Sequence, residues 1–239
     1  MNTVVFIPAR GGSKGVINKN LRLVNEKPLI TYTLKVAILS QTSKVILSSD
    51  SEKIHEIARE FVNLECKEHK QKLVHHFRPS ELSTDTSLIS DVICDYFRNN
   101  LIDSNGILVL LQPTSPIRRT IDINNVIARF SDSSINSIVS ACLVSQHPKE
   151  MFYQDKKLNF LLLGDSKEQQ RQMYNKVYFI NGSIYAARLN FYLKKKKFFD
   201  ANSSIYFMDT ISSVDIDTED DLFIADSLLK NLSKDYIYD

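Results

Sequence analysis

Four cations and three glycines crowd one stretch near the start of the chain, Ile7-Pro8-Ala9-Arg10-Gly11-Gly12-Ser13-Lys14-Gly15-Val16-Ile17-Asn18-Lys19-Asn20-Leu21-Arg22. Glycines this close together let the backbone approach a ligand without interference from a Cβ. Arg10, Lys14, Lys19 and Arg22 supply charge, and Ser13, Asn18 and Asn20 supply neutral donors. That combination suits a chain of phosphates. Spacing excludes the two common phosphate loops. A P-loop requires G-x-x-x-x-G-K-[ST], but Lys14 is followed by Gly15 and has no glycine five residues before it. G-x-G-x-x-G is absent as well, which removes the motif support for a dinucleotide-dependent oxidoreductase.

A second set of chemistry-bearing residues stands near the other end, in Ser213-Val214-Asp215-Ile216-Asp217-Thr218-Glu219-Asp220-Asp221. Asp215 and Asp217 are two apart on an extended segment, so their side chains point to one side. Paired carboxylates can hold Mg²⁺ when substrate phosphates complete its shell. The same acids also read as helix caps, because Thr218 and Asp221 have capping-box spacing and Glu219 falls in a first turn. Both readings stand at this point. A non-catalytic sugar-nucleotide binding module would have the cradle without the acids, and here both aspartates are present.

The elements that must position these groups alternate. Val4–Ile7 is an apolar run that predicts a buried first strand. A helix from Pro28, a strand at 44–49, and a helix with Ile54, Ile57, Ala58 and Phe61 at i, i+3, i+4 and i+7 follow. A short strand at Leu73-Val74 leads to the polar segment 78–87, with His75-His76 at the strand end, and then to a helix carrying Ile89, Val92, Ile93 and Tyr96. Gly106–Leu111 predicts a central strand stopped by Pro113 and Pro116, leaving Gln112, Thr114 and Ser115 at its carboxyl end. A helix from Thr120 and a strand at 137–141 complete the alternation. The pattern predicts an α/β fold with a doubly wound, mainly parallel sheet, at whose strand ends segments 9–20, 78–87 and 112–118 converge.

One α/β domain is expected over residues 1–239. Residues 143–177 break the pattern as an excursion, with a hairpin-like pair at 151–153 and 158–163. The run Lys194–Lys197 reads as a solvated face. A net charge of +2 gives no general polyanion surface, so no nucleic acid is expected. No apolar run is long enough for a membrane span, and no secretory leader is read at the start, so a cytoplasmic location is expected. The three scattered cysteines lack C-x-x-C spacing and read as reduced thiols.

With these segments in hand, the chain resembles the CMP–sialic acid synthetases, the N-acylneuraminate cytidylyltransferases, a group that includes bacterial nonulosonate cytidylyltransferases. The resemblance rests on Ile7–Gly15 through Lys19-Asn20-Leu21, Arg78-Pro79-x-Glu81-Leu82, Leu111–Pro116, Asn181-Gly182-Ser183-Ile184-Tyr185, and Asp215-Ile216-Asp217. It implies a Rossmann-like nucleotidyltransferase fold and a Mg²⁺-dependent reaction of CTP with a nine-carbon 2-keto sugar acid. The products would be the CMP-sugar and pyrophosphate. By the same resemblance Arg10, Gly11, Ser13, Lys14 and Lys19 hold the triphosphate, Asn20 and a serine that is either Ser87 or Ser90 contact the ribose, and Arg78 with the segment around Ser87 encloses the base. Gln112, Arg171, Asn181, Tyr185, Phe198 and Phe199 face the sugar. Asp215 and Asp217 bind the metal, and one of them helps deprotonate the attacking hydroxyl. The excursion is implied to exchange across a homodimer. Phe179-Ile180 stands where sialic-acid enzymes carry a basic residue, and this suits a nonulosonate with nonpolar deoxy and acylamino features, such as legionaminic acid.

Overall fold

The computed structural model describes residues 2–12, 15–100, 105–154, 160–162 and 170–238. Val4 through Ile7 are buried on both faces of the sheet, as an unbroken apolar run requires, and form β1 (Thr3–Pro8). The glycine loop and one 3-10 turn at Lys19–Leu21 lead to a small hairpin of β2 (Leu23–Val24) and β3 (Lys27–Pro28). Then come α1 (Leu29–Leu39), β4 (Lys44–Ser49), α2 (Glu52–Glu65) and β5 (Leu73–Phe77). β5 is longer than its two apolar residues suggest, and His75 and His76 lie inside it. α3 (Ile89–Asn99), β6 (Ile107–Leu110), α4 (Thr120–Arg129) and β7 (Ser137–Leu143) follow.

The interruption after β7 contains an antiparallel pair, β8 (Phe152–Gln154) with β9 (Phe160–Leu162), that is not hydrogen-bonded to the main sheet. The chain re-enters through β10 (Tyr178–Arg188), α5 (Leu189–Lys195), β11 (Ser204–Phe207), α6 (Glu219–Asn231) and α7 (Lys234–Tyr238). The seven-stranded order is β11-β7-β10-β6-β1-β4-β5. β10 pairs antiparallel with both β6 and β7, and the remaining pairs are parallel.

Alternate residues of β1 supply two cores. Val5 and Ile7 pack under α1, α2, α4 and α6, whereas Val4 and Phe6 pack with α3 and α5. This is the doubly wound arrangement, and it leaves the carboxyl ends of β1, β4 and β6 open on one edge. Among the described residues no helix is long and apolar enough to cross a membrane.

Candidate active site

Beyond those strand ends lies a cleft of about 370 Å³ whose lining includes Arg10, Lys19, Asn20, Arg78, Gln112 and Asp217. The structure thus brings together residues from four of the separated segments. Each is held by local chemistry. Asn20 is buried and donates from Nδ2 to the Arg10 carbonyl at 2.9 Å, which ties the far side of the glycine loop to its entry. Arg78 is buried at the end of β5, donating from Nε to Ser48 Oγ at 3.2 Å and from Nη2 to the Ser48 carbonyl at 3.0 Å. Burial lowers its pKa, with the Asp50 carboxylate opposing and the Arg10 charge adding to the fall.

Carboxylates of the chain itself satisfy the cradle's donors. Arg10 Nη1 donates to Asp85 at 2.6 Å, the Gly11 N–H to Asp50 at 2.8 Å, and Lys19 Nζ to Asp217 at 3.0 Å. Acceptors of one sign placed on these groups mark them as anion-receiving positions.

The acidic segment is an extended strap fixed along its length. The Ile216 N–H donates to the Thr114 carbonyl at 2.9 Å, and the Ile216 carbonyl accepts from Lys19 Nζ at 2.6 Å. Gly15 lies against it so closely that a Cβ there would stand 2.6 Å from the Asp217 carbonyl oxygen. At its end the Thr218 hydroxyl accepts from the Asp221 N–H while Asp221 accepts from the Thr218 N–H, so the capping box opens α6. Asp217 is 77% exposed at the cleft, whereas Asp215 is half-buried. Burial pushes the Asp215 carboxyl up. The nearby Thr114 hydroxyl opposes this, the Asp217 charge adds to it, and Lys19 and Arg118 oppose it.

Asp215 Oδ1, Thr114 Oγ1 and Ser115 Oγ are buried and make no well-formed hydrogen bond to the protein. Orphaned buried oxygens call for a partner. Two carboxylates with neighbouring hydroxyl oxygens fit a hard divalent cation that takes its remaining ligands from phosphate and water. Among the described residues no group of three or more His, Cys, Asp or Glu side chains could hold a metal by itself.

A second cleft of about 240 Å³ adjoins the first at Ile89 and Gln112, and Ser90, Tyr185, Lys196, Lys197 and Phe199 are among its lining. Phe198 also lines it but is mostly buried, 4.4 Å from the Tyr192 ring centroid. Gly182 adopts φ +73° beside the Gln112 side chain, where β10 shifts register. Only glycine holds that conformation cheaply.

Two expected positions lie elsewhere than the sequence reading put them. Asn181 does not face either cleft. It is buried, accepting from Ser140 Oγ and donating to Ser213 Oγ at 2.7 Å, so it anchors the bulge that presents Gly182. The Ser87 hydroxyl closes the 81–87 turn, accepting from the Thr84 N–H at 3.1 Å, while Ser90 lines the second cleft. Ser13, Lys14 and the Arg171 side chain lie outside the described residues.

The sequence reading also missed Arg118. It is wholly buried, donating from Nη2 to the Gln112 carbonyl at 2.8 Å and from Nε to the Ser183 carbonyl at 2.7 Å. Burial pulls its pKa down against the charges of Asp215 and Asp122. It joins the strand end that carries Gln112 to the bulge of β10. Asp50 and Asp85 were missed too, because they stand in segments far along the chain from the glycine loop they meet.

The sequence model of a family described as "Cytidylyltransferase" matches residues 4–235. The chain is 32% identical over 225 residues to the N-acylneuraminate cytidylyltransferase of Streptococcus agalactiae serotype V, with 92% of this chain and 52% of that protein covered. It therefore spans about half the length of the streptococcal relatives it matches. It is 30% identical to the CMP-N,N'-diacetyllegionaminic acid synthase of Legionella pneumophila, covering 96% of this chain and 97% of that one. Among solved structures, a CMP:2-keto-3-deoxy-manno-octonic acid synthetase complexed with CTP shares the fold at a TM-score of 0.68 and 15% identity, covering 97% and 99% of the two chains.

Proposed function

The chain belongs to the cytidylyltransferase family, and on that premise we propose that it joins CTP to a nonulosonic acid, releasing pyrophosphate. The observation that carries this reading is the cleft where Arg10, Lys19, Arg78, Gln112 and Asp217, from four separated segments, meet at the strand ends. Arg10, Lys14 and Lys19 hold the triphosphate with the Gly11 amide. Arg78 and the segment ending at Ser90 flank the base. The sugar occupies the second cleft against Gln112, Tyr185 and Phe199. Its anomeric hydroxyl attacks the α-phosphorus in line, and the bond to the β-phosphate oxygen breaks as the new P–O bond forms. Catalysis is then mainly positioning and offsetting of charge on the departing pyrophosphate. Asp215 and Asp217 hold Mg²⁺, which would supply charge neutralisation at the phosphates. One of the two aspartates also accepts the proton of the attacking hydroxyl.

Similarity to both an N-acylneuraminate and a legionaminate enzyme supports the nonulosonate class. Phe179 and Ile180, in place of a basic residue, favour a sugar with nonpolar substituents such as legionaminic acid. The exposed Tyr178, Phe179 and Ile180 of β10 and Phe207 of β11, at one end of the sheet, support a homodimer sealed beside the 143–177 excursion. The decisive test mixes the protein with CTP, Mg²⁺ and a nonulosonate panel and follows pyrophosphate. Release that depends on both the sugar acid and Mg²⁺ is expected, and EDTA should stop it. No release with any member refutes the activity. A clear preference for N-acetylneuraminate refutes the legionaminate choice alone.

A further inference from the structure

All four lysines of the run 194–197 are exposed, but they do not share the same surroundings. α5 ends on Lys196, whose backbone sits in the left-handed region at φ 54° and ψ 30°, with its N–H donating to the Tyr192 carbonyl at 2.6 Å. A β-carbon there costs about 1 kcal/mol or more, so the turn is held by its surroundings rather than by preference. What holds it is Phe198, buried against Tyr192 and 5.9 Å from the Tyr185 centroid. Seating Phe198 in the core brings Lys196 and Lys197 to the wall of the second cleft, while Lys194 and Lys195 remain on the helix outside it.

The rest of that wall is uncharged. Ser90 and Gln112 are its neutral polar groups, and Tyr185, Tyr192, Phe198 and Phe199 its aromatic ones; Lys196 and Lys197 are the charged groups among the described residues that line it. Arg10 and Lys19 of the first cleft, by contrast, already face Asp85 and Asp217. A pocket that pairs aromatic walls with ammonium groups and no carboxylate takes a small anion bearing apolar surface.

We infer that Lys196 and Lys197 bind the carboxylate of the sugar-acid substrate and so set the enzyme's requirement for an acid over a neutral sugar. This rests on the cytidylyl-transfer reading above. The interaction is a charge-assisted hydrogen bond at the wall of an open, aromatic-lined cleft. Its loss is worth about tenfold or more in apparent affinity.

The test compares the wild-type protein with Lys196→Gln/Lys197→Gln, using the sugar acid found by the panel and its carboxamide analogue, with pyrophosphate release as readout. The expected result is a KM for the sugar acid raised about tenfold or more, with the KM for CTP unchanged. The preference for carboxylate over carboxamide should shrink by the same factor, and Lys196→Arg/Lys197→Arg should restore it. Lys194→Gln/Lys195→Gln, equal in charge removed but outside the cleft, should leave both values alone. A Lys196→Gln/Lys197→Gln protein that keeps the wild-type carboxylate preference overturns the assignment while leaving cytidylyl transfer intact. Wild-type protein that releases no pyrophosphate with any sugar acid overturns the function and this inference together.

Discussion

Gly15→Ala should damage catalysis through the acidic strap although Ala is a small change on a loop. The Gly15 backbone is not in the positive-φ region, where among the described glycines only Gly182 lies, so no torsional strain is involved. The demand is steric. An added Cβ would stand 2.6 Å from the Asp217 carbonyl oxygen, and contacts under 3.0 Å are essentially never seen. Restoring an ordinary separation of about 3.4 Å moves loop and strap apart by about 0.8 Å, within the range where misplacement of about 1 Å costs roughly a hundredfold in rate. The strap cannot yield at one atom alone, because Ile216 is tied to Thr114 and Lys19 and Thr218 is locked in its capping box. The displacement is therefore passed to the Asp215 and Asp217 carboxylates. Pyrophosphate release should fall by about a hundredfold in kcat/KM, equivalent to about 2.7 kcal/mol in the transition state. The Mg²⁺ needed for half-maximal rate should rise. Overpacking should also lower stability by about 1–3 kcal/mol. Gly12→Ala is the folding comparator, since a Cβ there meets nothing within 4 Å, and its melting temperature should match the parent's. A Gly15→Ala protein within twofold of the parent in kcat/KM, with unaltered Mg²⁺ dependence, would refute the coupling between loop and strap.

Two further outcomes follow from buried titrating groups. For Asp215, whose folded-state pKa is raised above 3.8 chiefly by burial, the favourable contribution is complete below 3.8 and disappears as pH rises through the folded value. Asp215→Asn should therefore melt higher than the parent at pH 7 in metal-free buffer, with the gap closing below about pH 3.8, while turnover collapses; an unchanged melting temperature at pH 7 sinks the claim. His75 is lowered to about 4 by burial first, then by the charges of His55 and Arg59, and its Nδ1 lies 2.9 Å from His55 Nδ1. Its stabilising contribution is present above 6.5 and is lost as pH falls toward about 4. His75→Gln should flatten that acid limb in thermal melts, and an identical limb in the variant would count against it.

Parts of the molecule are readable from the chain because one local property fixes them. Val4–Ile7 has no polar residue to spare for solvent, so a strand buried on both faces is the natural outcome, and both cores meet on it. The α2 stripe and the Thr218–Asp221 box are likewise settled within one or two turns of backbone. β11 is different, having four residues at a sheet edge, too short for alternation to stand out, and it exists because β7 offers a parallel partner. The direction of β10 is not written in Ser183–Ala187, which reads the same either way; it depends on where the preceding excursion returns the chain.

Site residues fall along the same divide. A type and a spacing identify donors and acids, as with Arg10, Lys19 and Asp217, but not which way a side chain turns. Asn181 belongs to a recognisable segment, yet its amide goes inward to Ser140 and Ser213, and Gly182 makes the approach to Gln112. Arg118 hides for the opposite reason. Arginines are mostly exposed, and nothing nearby in sequence signals that this one is wholly buried between Gln112 and Ser183. The lysine run shows the limit most clearly. Four like charges average to a solvated face, and only the burial of Phe198, two residues after Lys196, selects which two of them reach the cleft. Orientation in each case is decided by a packing partner distant in sequence, so a motif can name the chemistry of this site without locating all of its atoms.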